Sequence, residues 1–245
     1  MFSFFRKKEQ KLEPIGFEVL NCDIHSHFIP GIDDGSPDLE TSVKLVKKMQ
    51  ELGFKKIITT PHVMHDFYRN TPEIILSGLK DLKKELKTQS IEVDISAAAE
   101  YYVDYYFEFK LNEGEDFLTF GNKHILIETS FVSEPPNFSE SIFKLQLKGY
   151  DVILAHPERY GFMSINDLKK YKSRSVKLQL NLLSLLGYYG GECKLKAEKL
   201  IENNMVDFVG TDCHNLNQAS IYHKCMTNKH WHALVNSGTL KNHLL

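Results

Sequence analysis

The chain has 245 residues, of which 42% are hydrophobic and 25% charged, and its formal net charge is −2. This length suffices for one domain with a substantial core, while the near balance of charge argues against a nucleic-acid-binding surface spread over the protein. The four cysteines form no Cys-x-x-Cys pair, which favours reduced thiols in a cytosolic protein over a disulfide framework.

The first 17 residues are predicted to be a flexible tail, because they lack a periodic apolar pattern. Within them, residues 1–8 place aromatic side chains before basic ones, which is not the order of a secretory signal. No stretch is long and apolar enough to predict a transmembrane helix. Residues 18–245 are therefore expected to form a single domain without an internal linker.

The rest of the chain alternates apolar strands with amphipathic helices. The predicted strands cover residues 17–24, 56–60, 91–99, 124–127, 151–155, 176–180 and 206–210. The predicted helices begin at Ser36 as N-cap, at Thr71, at Ser139, at Cys193 and near Ala219. Seven strand-then-helix units predict parallel strands joined by helical crossovers, in a closed or nearly closed α/β barrel.

Histidine and acidic residues stand where the predicted strands end. His25 and His27, two positions apart after the first strand, face the same side. In a parallel barrel, such residues meet at the C-terminal ends of the strands. The set predicted to converge is His25, His27, Asp34, His62, Glu100, Glu128, His156, Asp212 and His214.

Five histidines and four carboxylates are more ligands than one ion uses. A set of nitrogen and oxygen ligands without thiolate suits manganese, iron or zinc, with cobalt and magnesium as alternatives. Two or three ions are expected, with Glu100 or Glu128 bridging them. Because structural zinc sites are closed and typically use cysteine, this set favours hydrolysis, most of all of phosphate esters, by water activated on the metal.

Arg159, three residues after His156, is predicted to bind phosphate oxygens through its planar guanidinium. No cysteine is followed six positions later by arginine, so a cysteine-nucleophile phosphatase loop is absent. The aromatic stretch Tyr101–Phe109 is predicted to be a helix or loop beside the site, with Tyr102 among its walls. Residues 133–136 and 187–190 are predicted to be loops over the site.

Seven ordered motifs carry a resemblance to a known superfamily. They are Asp23-Ile-His-Ser-His27, Asp33-Asp-Gly35, Thr60-Pro-His62, Ala99-Glu-Tyr-Tyr102, Leu126-Ile-Glu128, Ala155-His-Pro-Glu-Arg-Tyr160 and Thr211-Asp-Cys-His-Asn215. Over about residues 18–240 the chain resembles the polymerase and histidinol phosphatase (PHP) superfamily. Within it, the chain is most similar to the metal-dependent protein-tyrosine phosphatases encoded with bacterial capsular and exopolysaccharide genes.

The resemblance implies a distorted TIM-like (β/α)7 barrel with a trinuclear, typically manganese-dependent site. By matching motifs, the nine residues above would be metal ligands, Arg159 would hold the phosphoryl group, and a metal-bound hydroxide would attack phosphorus. His156 and Asp212 are then expected to be essential for turnover. The implied substrate is a phosphotyrosine protein, namely a tyrosine kinase that controls polysaccharide chain length and export.

The chain departs from its resemblance at one place. Related phosphatases carry a second arginine shortly after the last motif, where this chain has residues 216–220, Leu-Asn-Gln-Ala-Ser. A second phosphate contact would then come from Arg69, from a lysine, or be absent. The general acid for the leaving group and the oligomeric state are left open by the sequence.

Three other functions compete with this prediction. The same cluster could serve a small-molecule phosphatase, such as one acting on histidinol phosphate. A metal-dependent exonuclease is disfavoured by the near-neutral charge, and no nucleic-acid partner is expected. A non-catalytic metal-binding partner of a polysaccharide export complex would be expected to have lost ligands. The protein is expected to be cytoplasmic, with its substrate as the link to the inner membrane.

Overall fold

The computed structural model describes residues 12–245, so most of the predicted tail lies outside the described residues. The described part of that tail packs against the domain. Trp231 Nε1 donates a hydrogen bond to the Ile15 carbonyl at 2.9 Å, and the buried Phe17 ring stacks 5.4 Å from Phe54. Residues 15–17 therefore belong to the packed domain. Within residues 12–245, no helix has the length and apolar character needed to cross a bilayer.

All strand pairs in the two ladders are parallel. The strands are β1 (Cys22–Asp23), β2 (Lys56–Thr59), β3 (His62–Val63), β4 (Asp94–Ala97), β5 (Glu100–Tyr102), β6 (His124–Glu128), β7 (Asp151–Ala155), β8 (Lys177–Asn181) and β9 (Phe208–Gly210). Their order is β1-β2-β4 in one ladder and β3-β5-β6-β7-β8-β9 in the other. The second and third predicted strands correspond to β2 and β4, and each is followed by a further short strand, β3 or β5, that was not predicted.

Among the described residues, six helices lie between strands in the sequence, and two follow the last strand. They are α1 (Leu39–Glu51), α2 (Pro72–Thr88), α3 (Tyr105–Glu113), α4 (Phe138–Leu147), α5 (Ile165–Ser173), α6 (Gly191–Glu202), α7 (Leu216–Ala219) and α8 (Lys229–Asn236). Short 3-10 helices cover Phe17–Val19, Pro157–Arg159, Leu182–Leu186, Tyr222–Thr227 and Asn242–Leu244.

The curled sheet closes where the first strand meets the last. Ser26 forms a parallel bridge with Cys213, the Asp212 N–H donates to the His25 carbonyl at 2.7 Å, and the His27 N–H donates to the Cys213 carbonyl at 3.0 Å. These bonds join the segment after β1 to the segment after β9. The predicted fold, a distorted TIM-like (β/α)7 barrel, is confirmed.

Below its C-terminal rim, the barrel is filled by apolar side chains. The cluster comprises Cys22, Ile24, Ile58, Ala98, Phe120, Leu126, Ile153, Ala155 and Phe208, with Leu245 packed against it. A second, larger core lies between the sheet and the helices. This apolar layer inside the barrel packs directly beneath the polar residues of the rim.

Two predictions near the N-terminus were wrong in detail. Residues 17–19 form a 3-10 turn rather than the start of a strand, and Asn21, with φ of 64°, separates that turn from β1. The N-cap of α1 is Asp38, whose Oδ1 accepts from the Thr41 N–H at 2.7 Å, while Ser36 Oγ donates to the Asp38 carbonyl at 2.9 Å. The carboxylate therefore takes the capping role predicted for the hydroxyl.

The C-terminal helix was also placed wrongly. No long helix begins at Ala219, because α7 ends there and Asn228 caps α8 nine residues later, with its Oδ1 accepting from the His230 N–H at 2.8 Å. In addition, α5 was not predicted. It begins at Ser164, whose side chain forms a capping box with Asp167.

Candidate metal centre

The structure brings all nine predicted ligands together at the C-terminal rim of the barrel. Three overlapping groups have ligand atoms within 4.8 Å of one another: His25, His27, Glu100 and Asp212; His62, Glu100 and Glu128; and His27, Asp34, His62 and His214. The ninth residue, His156, has its Nε2 atom 2.9 Å from Glu100 Oε1 and 3.8 Å from Glu128 Oε2. The groups overlap at Glu100, His27 and His62. A carboxylate such as Glu100 can bind two adjacent ions, whereas each imidazole nitrogen binds one.

In the first group, two imidazole nitrogens face each other. His27 Nδ1 donates to Asp33 Oδ2 at 2.8 Å, and His25 Nδ1 donates to Gln179 Oε1 at 2.9 Å. With the ring proton on Nδ1, each Nε2 atom would be free to bind an ion, and the two Nε2 atoms lie 3.4 Å apart. Two nitrogens bound at about 2.1 Å to one tetrahedral ion would have this separation, about 3.4 Å. The partners of Nδ1 thus hold both rings in the form that binds a metal.

Two carboxylates complete this first group. Glu100 Oε2 lies 3.1 Å from His25 Nε2, and Asp212 Oδ1 lies 3.3 Å from His27 Nε2. Burial disfavours ionisation of both acids, but the neighbouring imidazoles outweigh it and hold the pKa of Glu100 and of Asp212 well below their ordinary values. Both side chains are therefore carboxylates, as an ion requires.

The second group contains buried polar atoms without hydrogen-bond partners. His62 Nδ1 lies 3.0 Å from Glu100 Oε2 and 2.9 Å from Glu128 Oε1. The angles do not suit hydrogen bonds, and all three atoms are buried and unpaired. Leaving such groups unpaired costs about 1–3 kcal/mol each. A divalent cation between them would satisfy all three, so the residues present fit a metal.

The third group opens to solvent. Asp34 Oδ1 lies 3.6 Å from both His62 Nε2 and His214 Nε2, and the Asp34 side chain is 53% exposed. His214 Nδ1 donates to the Asp212 carbonyl at 2.9 Å, which leaves its Nε2 atom as the ligand. A position that solvent reaches is typical of catalytic metal sites, whereas structural ones are closed.

Two residues of the rim have strained backbones. His156 has φ of 33° and Asp212 has φ of 52°. Both values lie in the left-handed region, which residues other than glycine rarely adopt. Each follows directly or closely on the end of a strand, β7 or β9, at the point where its side chain joins the cluster. Such conformations cost about 1–3 kcal/mol each and concentrate at functional sites.

Arg159 lies beside the cluster, in a fixed orientation. Its guanidinium carbon is 4.4 Å from the centre of the Phe131 ring and 4.5 Å from that of Tyr189, and its NH1 atom donates to Asp212 Oδ2 at 3.1 Å. Burial opposes the charge of Arg159, but the Asp212 carboxylate raises the pKa of Arg159 above its ordinary value. A cation held between two rings next to a metal cluster can bind an anionic substrate.

A cleft of about 660 Å³ leads to Arg159 and the cluster. Its aromatic walls include Tyr68, Tyr102, Phe131 and Tyr189, so Tyr102 lies beside the site. Of the two predicted covering loops, the one at 187–190 contributes Tyr189, whereas residues 131–132 rather than 133–136 form the opposite lip.

Arg69 does not reach this cleft. Its Nε atom donates to the His65 carbonyl at 2.9 Å, and it is not among the residues lining the cleft, where Arg159 is the single arginine of the described chain. Gln218, from the segment where related phosphatases carry arginine, does line it, and its Oε1 accepts from the His214 N–H at 2.6 Å.

Several residues that support the site were missed by the sequence reasoning. They are Asp33, Phe131, Gln179, Asn181 and Tyr189. Gln179 and Asn181 had a signal, since they are polar residues two positions apart in an otherwise apolar strand; Asn181 Nδ2 donates to Asp212 Oδ2 at 2.6 Å. Asp33 stands next to the predicted ligand Asp34. Phe131 had no signal, because only the fold brings it to Arg159, and Tyr189 was indicated only as part of the predicted loop at 187–190.

Comparisons with known proteins agree with this geometry. Residues 21–229 match the profile of the family described as "Capsular polysaccharide synthesis, CpsB/CapC". The tyrosine-protein phosphatase YwqE of Bacillus subtilis is 32% identical over 197 residues, 79% of this chain and 77% of the relative. The tyrosine-protein phosphatase CpsB of Streptococcus agalactiae is 27% identical, over 79% of this chain and 83% of the relative.

Solved structures extend the likeness to the fold. A chain from the structures of YwqE of Bacillus subtilis and CpsB of Streptococcus pneumoniae, described as metal-dependent tyrosine phosphatases, superposes with a TM-score of 0.78 at 27% identity, covering 90% of this chain and 89% of that one. An amidohydrolase from Mycoplasma synoviae, at 13% identity and a TM-score of 0.54, covers 97% and 89% and shares the fold alone. The predicted resemblance is confirmed, and the chain belongs to the CpsB/CapC family of capsular polysaccharide synthesis.

Proposed function

We propose that this protein is a metal-dependent protein-tyrosine phosphatase, a phosphoric monoester hydrolase. The observation that carries the proposal is the convergence of buried, unpaired imidazole and carboxylate atoms beside one cation at the end of an open cleft. Relatives with the same family profile are named tyrosine-protein phosphatases. A phosphate monoester needs both features, a positive site for its oxygens and a means of activating water.

Two or three divalent ions would be held by the three groups described above, with Glu100 shared between two of them. Nitrogen and oxygen ligands without thiolate suit manganese, iron or zinc, and cobalt or magnesium would also fit. Manganese is our first choice because the resemblance described above implies it. Such ions supply a water of lowered pKa and neutralise charge on the phosphoryl group. The partners Asp33 and Gln179 hold two of the ligand rings for this purpose.

Arg159 would bind the phosphoryl oxygens. The guanidinium carries more than one N–H donor in a plane, and that plane is fixed by the rings of Phe131 and Tyr189. Only NH1 is engaged, by Asp212, so other donors of the group remain for the substrate. Because the side chain is already oriented, little conformational entropy is lost when phosphate binds.

The cleft walls favour a phenyl ring over a small aliphatic ester. Tyr102, Phe131 and Tyr68 line the path to Arg159, and aromatic walls bury the ring of a tyrosine while its phosphate reaches the cluster. The cleft is open, so the ring can belong to a polypeptide. On these grounds the substrate is a phosphotyrosine protein, which in a capsular polysaccharide family we take to be a tyrosine kinase of polysaccharide export, acted on in the cytoplasm.

The test compares three esters under manganese: a phosphotyrosine peptide, a phosphoserine peptide and histidinol phosphate. We expect chelator-sensitive hydrolysis with preference for phosphotyrosine. Arg159→Ala should lose most of this activity. The matched control Arg174→Ala should not, because Arg174 lies outside the cleft, where its NH1 atom donates a hydrogen bond of 2.7 Å to Ser139 Oγ. Preference for histidinol phosphate would assign a small-molecule phosphatase instead, and absence of hydrolysis would leave a metal-binding protein.

A further inference from the structure

Beside the cleft, the surface carries an unusual density of exposed aromatic side chains. Phe67 is 75% exposed, Tyr105 67%, Phe109 53% and Tyr106 36%. Together with His65 they form what we call the aromatic strip. Isolated apolar residues are common on surfaces, but a contiguous patch marks a place where something binds.

Within the strip, the His65 ring and the three rings of α3 are in mutual contact, and Phe67 adjoins them on the loop that carries His65. The His65 ring centre lies 4.3 Å from that of Tyr106 and 5.5 Å from that of Tyr105, and Tyr106 stacks 6.2 Å from Phe109. The His65 N–H donates to Asp104 Oδ2 at 3.2 Å, and the same carboxylate caps α3 through its Oδ1 atom. The loop that carries His65 and Phe67 is therefore fastened to the helix that carries the other three rings.

One end of the strip is the lip of the cleft. Phe67 and its neighbours Met64 and Tyr68 line the cleft, and the Tyr68 ring stacks 5.6 Å from the ring of His62 in the metal cluster. From this lip the strip runs along the first two turns of α3. The buried face of that helix uses other residues, Phe107 and Leu111, so the exposed rings are not needed to hold it.

We infer that the aromatic strip binds apolar side chains flanking the phosphotyrosine of the protein substrate. This inference rests on the proposed function. A polypeptide that inserts a tyrosine into the cleft has to cross its lip, and Phe67 stands there. The two ring-to-ring steps from His65 through Tyr106 to Phe109, of 4.3 and 6.2 Å, correspond to about three residues of extended chain at ~3.3 Å each.

The charges around the strip disfavour a membrane as its occupant. Asp66, Glu108 and Glu113 lie on the same loop and helix as Arg69 and Lys110, and Lys110 is paired with Glu115 at 3.1 Å. Binding to anionic lipid requires a cluster of unpaired basic residues. The strip instead combines apolar rings with mixed charge, which is the composition of a peptide-binding surface.

The experiment compares three enzymes, the native protein and two double variants, on two phosphotyrosine peptides and one small ester. The double variant Tyr105→Ser/Phe109→Ser alters the strip outside the cleft, and Leu147→Ser/Leu195→Ser removes two equally exposed apolar side chains, 71% and 59% exposed, from α4 and α6. Each enzyme receives para-nitrophenyl phosphate and two phosphotyrosine decapeptides, one with leucine and phenylalanine within three residues of the phosphotyrosine and one with serine there. Sedimentation velocity of each enzyme is recorded as well.

We expect the native enzyme to favour the apolar peptide about tenfold in kcat/KM, mainly through KM. The strip variant should lose this preference while hydrolysing para-nitrophenyl phosphate at the native rate, and the control variant should keep it. Equal rates for both peptides with the native enzyme would overturn the inference while leaving the phosphatase function intact. A dimer that dissociates in the strip variant would overturn it too, by making a second copy the occupant. If the native enzyme hydrolyses none of the three esters, the proposed function itself would be contradicted.

Discussion

Buried carboxylates at the two ends of the barrel differ in whether their oxygens have hydrogen-bond partners. At the N-terminal end, Asp207 accepts hydrogen bonds from Lys172 Nζ at 2.5 Å, from Lys241 Nζ at 2.8 Å and from the Leu178 N–H at 3.0 Å. At the C-terminal end, Glu100 Oε2 is buried and unpaired although imidazole nitrogens surround it. One carboxylate has all the partners it needs, and the other lacks them.

The same contrast holds for other buried polar groups. The Asn242 amide, near the lower end, donates to the Cys22 and Val209 carbonyls and accepts from the Val209 N–H, all within 2.9 Å. His62 Nδ1 and Glu128 Oε1, at the upper end, have no such partners. A protein tolerates unpaired buried groups where a ligand completes them. The residues at the N-terminal (lower) end of the barrel therefore stabilise the fold. Those at the C-terminal (upper) end destabilise it until a ligand binds.

The largest effect should come from Glu100→Gln, which keeps the shape of the side chain and removes its charge. Because Glu100 belongs to two of the three ligand groups, we expect kcat/KM for a phosphotyrosine peptide to fall by at least about 10³-fold. Asp207→Asn is the matched control at the other end and should leave kcat/KM unchanged. Turnover by Glu100→Gln within tenfold of native would show that the contrast between the ends is not functional.

A smaller loss is expected for Arg159→Lys, which keeps the charge beside Asp212. The ammonium has neither the planar fork nor the stacking of guanidinium between Phe131 and Tyr189. We expect kcat/KM to fall about 10²-fold with the bound metal content unchanged. Metal analysis and steady-state kinetics on one preparation separate the two effects; a parallel loss of metal would mean that Arg159 supports the cluster rather than the substrate.

Asp33→Asn probes a residue that supports a ligand without belonging to the predicted set. Burial opposes ionisation of Asp33, but His27 outweighs it and lowers the pKa of Asp33 to about 2. Without that charge the His27 ring is held less firmly, and we expect metal affinity to fall about 10-fold to 100-fold. Excess manganese should restore kcat. If activity stays low at saturating metal, Asp33 acts otherwise than through His27.

The smallest effect on activity should come from Asp207→Asn, whose cost falls on stability. Burial opposes ionisation of Asp207, but hydrogen bonds from Lys172 and Lys241 hold the pKa of Asp207 below its ordinary value. Its contribution is therefore complete above about pH 4 and is lost as pH falls through the folded-state pKa. We expect the variant to unfold about 1–3 kcal/mol more easily at pH 7.

Urea unfolding between pH 3 and pH 7 checks this expectation. The free energy of unfolding of the native protein should decline below about pH 4, and that of Asp207→Asn should decline less, so that the two curves converge in acid. Parallel curves would show that Asp207 is not ionised against its lysine partners, and that the lower end is held in some other way.

The sequence predicted the strand-end residues well because their placement follows from local rules. Side chains such as His62 and Glu128 follow apolar segments, and parallel strands bring their C-terminal ends to one rim. The regular alternation also predicted the barrel. The prediction of element boundaries was wrong at the first strand and the last helix, where Asn21 and Asn228 interrupt the apolar pattern.

What the sequence could not predict depends on contacts between distant segments. Phe131 and Tyr189 meet only across the Arg159 side chain, and the exposure of Tyr105 and Phe109 depends on which face of α3 the fold buries. Arg69 was predicted as a second phosphate contact because the chain has only four arginines. It lies outside the cleft. No rule of spacing determines such long-range geometry.

The most direct test of the account is a manganese titration of chelator-treated protein, with bound metal and phosphotyrosine peptide hydrolysis measured on the same samples. We predict that hydrolysis is absent without metal, rises with the ions bound and saturates at two or three per chain, and that Glu100→Gln binds fewer. Full hydrolysis by metal-free protein, or saturation at one ion with native activity, would contradict the account.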